Sequence, residues 1–219
     1  MQLLERNNIS VELAETLRFM IADGRLAANS RINEVHLSEQ MGVSRTPLRE
    51  ALAMLAAEGA LEAKPRRGMF VRPLTREEFL DVYAVRPLLD VGALRLAGLP
   101  GAATLAKLRK LNEKLSSAKG ALRRIQVDDD WHLLLVQGCN NPVLLGLIKQ
   151  SIMRTRRYEI AYLREQVHTA TAVDEHLAIM DALDAGDLEM ACAALNTNLT
   201  SGTEPILRWL ETKKESQDV

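Results

Sequence analysis

Apolar residues recur at helical spacing along most of the chain, and the places where that spacing breaks divide it in two. Leu13, Leu17 and Ile21 form one stripe behind Ser10, which predicts a helix capped by Ser10 and stopped after Asp23 by Gly24. Ser30 to Glu34 reads as irregular or extended. Val35 to Met41 reads as a short helix with Leu37 and Met41 inward, ended by Gly42. Val43 to Pro47 reads as a turn. Pro47 suits the first position of the next helix, where a missing N–H costs nothing. That helix runs to about Glu58, with Leu48, Ala51, Leu52 and Leu55 facing in, and Gly59 ends it. Leu61 to Val71 alternates loosely around Pro65 and Gly68, the pattern of a two-stranded hairpin.

Pro73 marks the boundary. Thr75 followed by Glu78 has the spacing of a capping box, so a new helix starts there. Beyond it the spacing predicts helices over 75–98, 102–119, 122–139, 142–166, 172–185 and 187–213, with a break or kink at Pro87 and a frayed polar tail from Lys213. The expected fold is mainly α: a winged helix–turn–helix over 1–73 and an all-helical bundle over 74–219.

Composition narrows the classes. Of 219 residues, 47% are hydrophobic and 26% charged, which suits a globular chain and excludes wholesale disorder. The two cysteines, Cys139 and Cys192, lack CxxC partners and read as buried free thiols. No apolar run approaches a membrane span, and Met1 to Arg6 leads into polar Asn7, Asn8 and Ser10 with no signal peptide, so the expected location is the cytoplasm. The net charge is only −1, so a nucleic-acid site must be local.

Such a site is legible. In a helix–turn–helix the second helix offers its N-terminal turn to a DNA groove, where unsatisfied N–H groups favour phosphate and side chains reach base edges. That turn carries Ser44, Arg45, Thr46 and Arg49. The hairpin tip adds Lys64, Arg66, Arg67 and Gly68, and between Ser44 and Arg72 six basic residues face three Glu, a balance of +3. The run Arg31-Ile32-Asn33-Glu34, then Leu37 through Leu52, then Leu55, Glu58-Gly59, Arg67-Gly68 and Val71, resembles the DNA-binding domain of GntR-family bacterial transcription regulators. The resemblance implies operator DNA as partner, a homodimer, and contacts from Arg45, Thr46, Arg49 and Gly68. His36, where that family carries Glu or another polar residue, reads as an exposed imidazole.

Asp128 and His132 stand four apart on one helix face, a spacing that serves a surface ion pair or a divalent-metal grip. His176 shares a later stripe with Ile179 and Leu183. Val85-Arg86 with Asp90, Asp128 with His132, Asn141-Pro142, and the block Glu175-His176, Ile179, Ala182, Gly186-Asp187, Ala191 and Leu195 resemble the helical ligand-binding FCD domain of the FadR subfamily. That resemblance implies a set of Asp and three His on a divalent metal such as zinc, nickel, iron or manganese. Asn198 stands where the third His belongs. Metal held by three strong ligands with Asn198 or water, weaker binding, and a metal-free hydrogen-bonding site all remain open, with His168 as a reserve ligand.

The implied effector is a small carboxylate, with Arg86 as its guanidinium partner or, alternatively, in an ion pair with Asp90. Of Arg154, Arg156 and Arg157, at least one is expected to face solvent, and Trp131 is expected in the core. A metal-dependent enzyme on the Asp/His/His site is the alternative, weakened by the absence of a paired nucleophile or general base.

Overall fold

Gly42 adopts φ 64° and ψ 31°, a left-handed conformation that only glycine reaches cheaply, and so closes the helix–turn–helix turn. It ends α2 (Glu34–Met41), whose first turn is capped by the Asn33 side chain accepting from the Val35 and His36 amides. The structure, a computed structural model, describes residues 2–22, 24–165 and 170–217 and contains two units, Met1–Leu74 and Thr75–Val219.

In the first unit, α1 (Gln2–Ala22) and α3 (Arg45–Ala57) pack with α2 and the antiparallel pair β1 (Leu61–Lys64) and β2 (Gly68–Val71). Leu13, Leu17, Leu37, Leu48, Leu52, Leu55 and Val71 form the core. The strands pair Leu61 with Val71 and Lys64 with Gly68. Arg31 bridges Phe70, so the segment after α1 joins the hairpin as a third extended piece.

Two expectations change. Ser10 caps nothing: α1 begins upstream of it, and its buried hydroxyl donates to Glu50 on α3. Pro47 is the third helical residue, because α3 starts at Arg45 with Ser44 as its N-cap. A proline is still tolerated there, since the first-turn amides have no intrahelical partner in any case. Arg45 and Thr46 therefore belong to the helix's first turn.

The second unit is all helix: α4 (Arg76–Tyr83), α5 (Val85–Ala97), α6 (Ala102–Ser117), α7 (Ala121–Leu135), α8 (Pro142–Glu165), α9 (Ala170–Asp184), α10 (Leu188–Ser201) and α11 (Thr203–Gln217). Thr75 caps α4 by accepting from the Glu78 amide at 3.2 Å. Pro87 breaks the first predicted helix at Ala84, next to Tyr83, whose carbonyl its ring would strike in a continuous helix. The predicted helix over 187–213 is also two, parted at Gly202. Pro205 causes that break by the same clash, here with the Ser201 carbonyl, and it closes a stretch with no apolar pattern between Leu199 and Ile206. The tail expected to fray from Lys213 is helical to Gln217.

Trp131, Leu94, Leu108, Ile148, Ile179, Met180 and Leu195 draw α5 through α10 around one core. Each such side chain contributes about 1.5–3 kcal/mol by leaving water. Cys139 and Cys192 are buried free thiols.

Candidate functional site

The first turn of α3 stands in solvent. Ser44 makes no side-chain cap bond, so its hydroxyl remains open to a ligand. Ser44, Arg45, Thr46 and Arg49 are not buried, and the Arg49 guanidinium, 65% accessible, pairs with Glu34 of α2 at 2.8 Å. At the hairpin tip Arg66 takes φ 62°, while Lys64 and Arg67 lie over the Phe70 ring at 4.8 and 5.6 Å. Lys64 also pairs with Glu62 at 2.7 Å, so Lys64 and Arg49 both carry carboxylate partners within the unit.

Gly68, at φ 93°, leaves room for the Arg31 guanidinium: a Cβ there would meet its Nε at 3.3 Å. Arg31 was not singled out from sequence as a wing residue. Its strand pairing to Phe70 is what brings it there. His36 is exposed, as expected.

The second unit holds a buried centre. α7 carries Asp128 and His132 one turn apart, and α9 carries His176. One ligand atom from each lies within 4.8 Å of the others. The Asp128 carboxylate divides between the rings: His132 Nε2 is 3.7 Å from Oδ2, and His176 Nε2 is 3.5 Å from Oδ1. These separations are long for hydrogen bonds. They suit atoms sharing one ion, because bonds of ~2.0–2.1 Å at tetrahedral angles leave ligand atoms roughly 3.3 Å apart. His176 Nε2 is buried and has no hydrogen-bond partner among the described residues. Such an orphan is costly unless something else coordinates it. The three residues therefore fit a divalent ion.

Burial and the Arg86 charge push His176 down to about 3 and His132 well below the usual imidazole range. Both rings stay neutral at physiological pH and keep a lone pair for a ligand. Burial, helped by the Glu159 charge and opposed by Arg86, pushes Asp128 up to about 7, although 26% of its side chain is accessible. Without a cation the carboxyl is poised between its two forms.

The other expected residues surround this centre. Arg86 on α5 is buried and donates through Nε and Nη2 to Asp90 Oδ2 at 3.3 and 3.1 Å, the ion pair weighed above. It is also near enough to the centre to influence Asp128 and both histidines. Asn198 on α10 donates from Nδ2 to Glu175 Oε2 at 2.8 Å, and its Oδ1 is buried with no partner among the described residues. It is the amide oxygen, not the nitrogen, that is left over. His168 lies outside the described residues.

On α8, Arg154, Arg156 and Arg157 are all half-buried, where at least one was expected to face solvent. Arg156 pairs with Asp129 at 3.2 Å and Arg157 with Glu78 at 3.7 Å, because α4 and α7 are among the helices packed around α8. Trp131 is fully buried, as expected, and stacks on His176.

Two members of the site escaped the sequence reading. Glu159 accepts from the Tyr83 hydroxyl at 2.9 Å and raises Asp128. Asn112 on α6 contacts His176 at 3.2 Å. A signal for Asn112 existed: it interrupts the buried stripe Leu108 and Leu115 with a polar side chain that is itself buried.

The outer face of α5 has a different character. Val85, Leu88 and Leu96 are exposed and fall on one stripe, on the side away from buried Arg86 and Asp90, and Leu99 is exposed just beyond the helix end. Gly92 lies within that stripe, with nothing among the described residues within 4 Å of its missing Cβ. On α8, which packs against α5, Val143 and Leu147 are exposed beside Gly146, whose Cβ position is likewise open.

Comparison with known proteins matches both units. The family described as bacterial regulatory proteins, gntR family, matches residues 9–71, and the FCD domain matches residues 81–201. The chain is 28% identical to the "Probable D-xylose utilization operon transcriptional repressor" of Paenarthrobacter nicotinovorans, over 90% of this chain and 88% of that one. It is 30% identical to the HTH-type transcriptional regulator YieP of Escherichia coli, over 91% and 96%. Among solved structures, E. coli McbR/YncC superposes with a TM-score of 0.74 at 26% identity, covering 92% of this chain and 98% of that one. These relatives are transcription regulators, and nothing among them supports the enzyme alternative.

Proposed function

Because the chain belongs to the GntR family of bacterial regulatory proteins and carries an FCD domain, we propose that it acts as a homodimer on a pseudo-palindromic operator, with a small carboxylate effector controlling the DNA-bound state. The first unit is the DNA-binding domain. Arg45, Thr46 and Arg49 read or position on the major groove from the first turn of α3, with Ser44 on phosphate and Arg66, Arg67 and Gly68 at the wing. A regulator of operator DNA works where that DNA is, in the cytoplasm.

The second unit is the effector and dimerisation domain. Asp128, His132 and His176 hold a divalent ion (zinc, nickel, iron or manganese), with Asn198 Oδ1 as the oxygen donor nearest in kind to the family's third histidine. An amide oxygen favours harder ions over zinc or nickel. When bound, the ion supplies a Lewis-acid anchor for the effector's carboxylate. Arg86 adds positive potential at the centre, held in place by Asp90. The effector changes operator affinity only to the extent that it binds one arrangement of the dimer better than the other.

A second copy of the chain covers the outer face of α5 and the start of α8. Val85, Leu88, Leu96, Val143 and Leu147 give that face an apolar character that a lone chain leaves in water. Gly92 and Gly146 each cost about 1 kcal/mol against alanine within a helix, and nothing among the described residues uses the space they leave. A helix from the second copy does.

The observation that carries the effector reading is the buried, unpartnered His176 Nε2 facing Asp128 and His132. Elemental mass spectrometry on protein purified without chelator or histidine tag tests it. Near-stoichiometric metal in the wild type, lost in His132→Ala, is expected. No metal after incubation with each ion overturns the metal assignment and leaves a site built on hydrogen bonds and Arg86. For the function as a whole, His176→Ala is expected to bind operator like the wild type without effector and to lose the response to small organic acids. An unchanged response removes the site from effector binding.

A further inference from the structure

Asn112 bridges two helices through one amide. Its Nδ2 donates to the Val173 carbonyl of α9 at 3.0 Å, and its Oδ1 lies 3.2 Å from His176 Nδ1, one turn further along the same helix. A carbonyl oxygen only accepts, so the nitrogen end of the amide must face Val173. The oxygen end is then the one that meets the imidazole, and an oxygen acceptor requires a proton on Nδ1. A neutral imidazole has only one proton. Nε2 is therefore bare, and it is Nε2 that faces Asp128 Oδ1 at 3.5 Å.

We propose that Asn112 is a positioning residue which fixes His176 in the Nδ1–H tautomer and aims its bare Nε2 at the centre shared with Asp128 and His132. This inference rests on reading those three residues as a metal site. A ligating histidine whose other nitrogen donates to a fixed acceptor keeps both its tautomer and its ring orientation, and loss of that acceptor weakens metal binding about 10–100-fold.

The arrangement is specific to one ring. His132 Nδ1 is buried with no partner among the described residues, so His132 has no comparable clamp. His176 is held from three sides: Asn112 at Nδ1, the Trp131 indole stacked on its face at 3.7 Å, and its own helix. It is the ligand set in place before an ion arrives.

The test uses the full chain, nitrogen-15 spectra of the histidine rings without metal, and titration with manganese and zinc. His176→Ala assigns the resonances. In the wild type, His176 is expected to show a protonated Nδ1 and a bare Nε2. In Asn112→Leu the proton is expected to redistribute between the nitrogens, and metal affinity to fall 10–100-fold. Asn112→Ser, which is smaller and cannot reach the ring, serves the same purpose if the leucine does not fold. Asn112→Asp, which keeps the acceptor, is expected to retain the tautomer and stay closer to the wild type in affinity.

A wild type with the proton on Nε2 overturns the proposal. So does an Asn112→Leu or Asn112→Ser protein that keeps both tautomer and affinity and changes only its melting temperature, since Asn112 would then merely pack α6 on α9. If the wild type binds no metal, the metal reading fails by itself, and the ring spectra alone decide the role of Asn112.

Discussion

The indole of Trp131 lies flat on the imidazole of His176, with ring centroids 3.7 Å apart and planes 3° from parallel. The same indole meets His132 edge-on at 5.2 Å. One aromatic side chain thus fixes the relation of both imidazoles, and site geometry and core packing share a residue. Trp131→Phe is expected to destabilise the protein by about 1–3 kcal/mol through the lost stack and the space left behind. Metal should restore stability in proportion to its binding, about 2.7 kcal/mol at a free concentration 100 times Kd. Denaturant titration with and without manganese or zinc checks this. The gain should appear in the wild type, be reduced in Trp131→Phe, vanish in His176→Ala and be reversed by chelator. An equal gain in His176→Ala would locate the metal elsewhere.

Arg86 and Asp90 form a buried pair, and a charge left there alone is expensive. Arg86→Met is expected to cost about 3–5 kcal/mol, whereas Arg86→Met with Asp90→Leu should recover most of that loss. Both variants should lose the effector response if the guanidinium serves the effector's carboxylate. Urea denaturation and operator binding with effector, measured on the same proteins, separate the two roles. A double variant that is stable and still responsive would leave Arg86 a purely structural residue.

In the free protein, Arg49 is tied to Glu34 at 2.8 Å on an exposed surface. Such pairs contribute roughly 0.2–1 kcal/mol. Glu34→Gln should therefore tighten operator binding slightly, while Arg49→Ala should weaken it by about 1–3 kcal/mol and relax preference at one base pair if the contact is bidentate to guanine. Binding curves on operator and on random DNA at two salt concentrations check both. Equal loss on the two DNAs would make Arg49 a phosphate contact.

The helix–turn–helix was legible because its constraints are local. Gly42 needs a left-handed backbone, Leu48 to Leu55 repeat on one face, and Gly68 takes a positive φ with a tight approach to Arg31. Asp128 with His132 was legible because four residues make one helical turn. Asn112 and Glu159 were not, because they reach the site across helix packing, which no spacing along the chain records. The split at Gly202 did have a local signal, which the single long helix over 187–213 overrode: no apolar residue stands between Leu199 and Ile206, and Gly202 and Pro205 both fall in that gap. Ser10 misled because a serine ahead of an apolar stripe looks the same whether it caps a helix or donates across to Glu50.

α5 presents two opposite faces with two different chemistries. Arg86 and Asp90 lie buried on one, near the Asp128–His132–His176 centre, while Leu88 and Leu96 stand 76% and 64% exposed on the other. If a second copy covers the outer face, any shift of α5 on effector binding is felt directly by the partner. Leu88→Glu places a charge at the middle of that face and should leave the fold intact, because the side chain touches little within its own chain. It is expected to convert the dimer to monomer in sedimentation and to weaken operator binding strongly, since each head then holds its half-site alone. Metal content should stay at the wild-type level, because the ligands lie on other helices. A Leu88→Glu protein that remains dimeric at the same concentration would move the dimer interface away from α5.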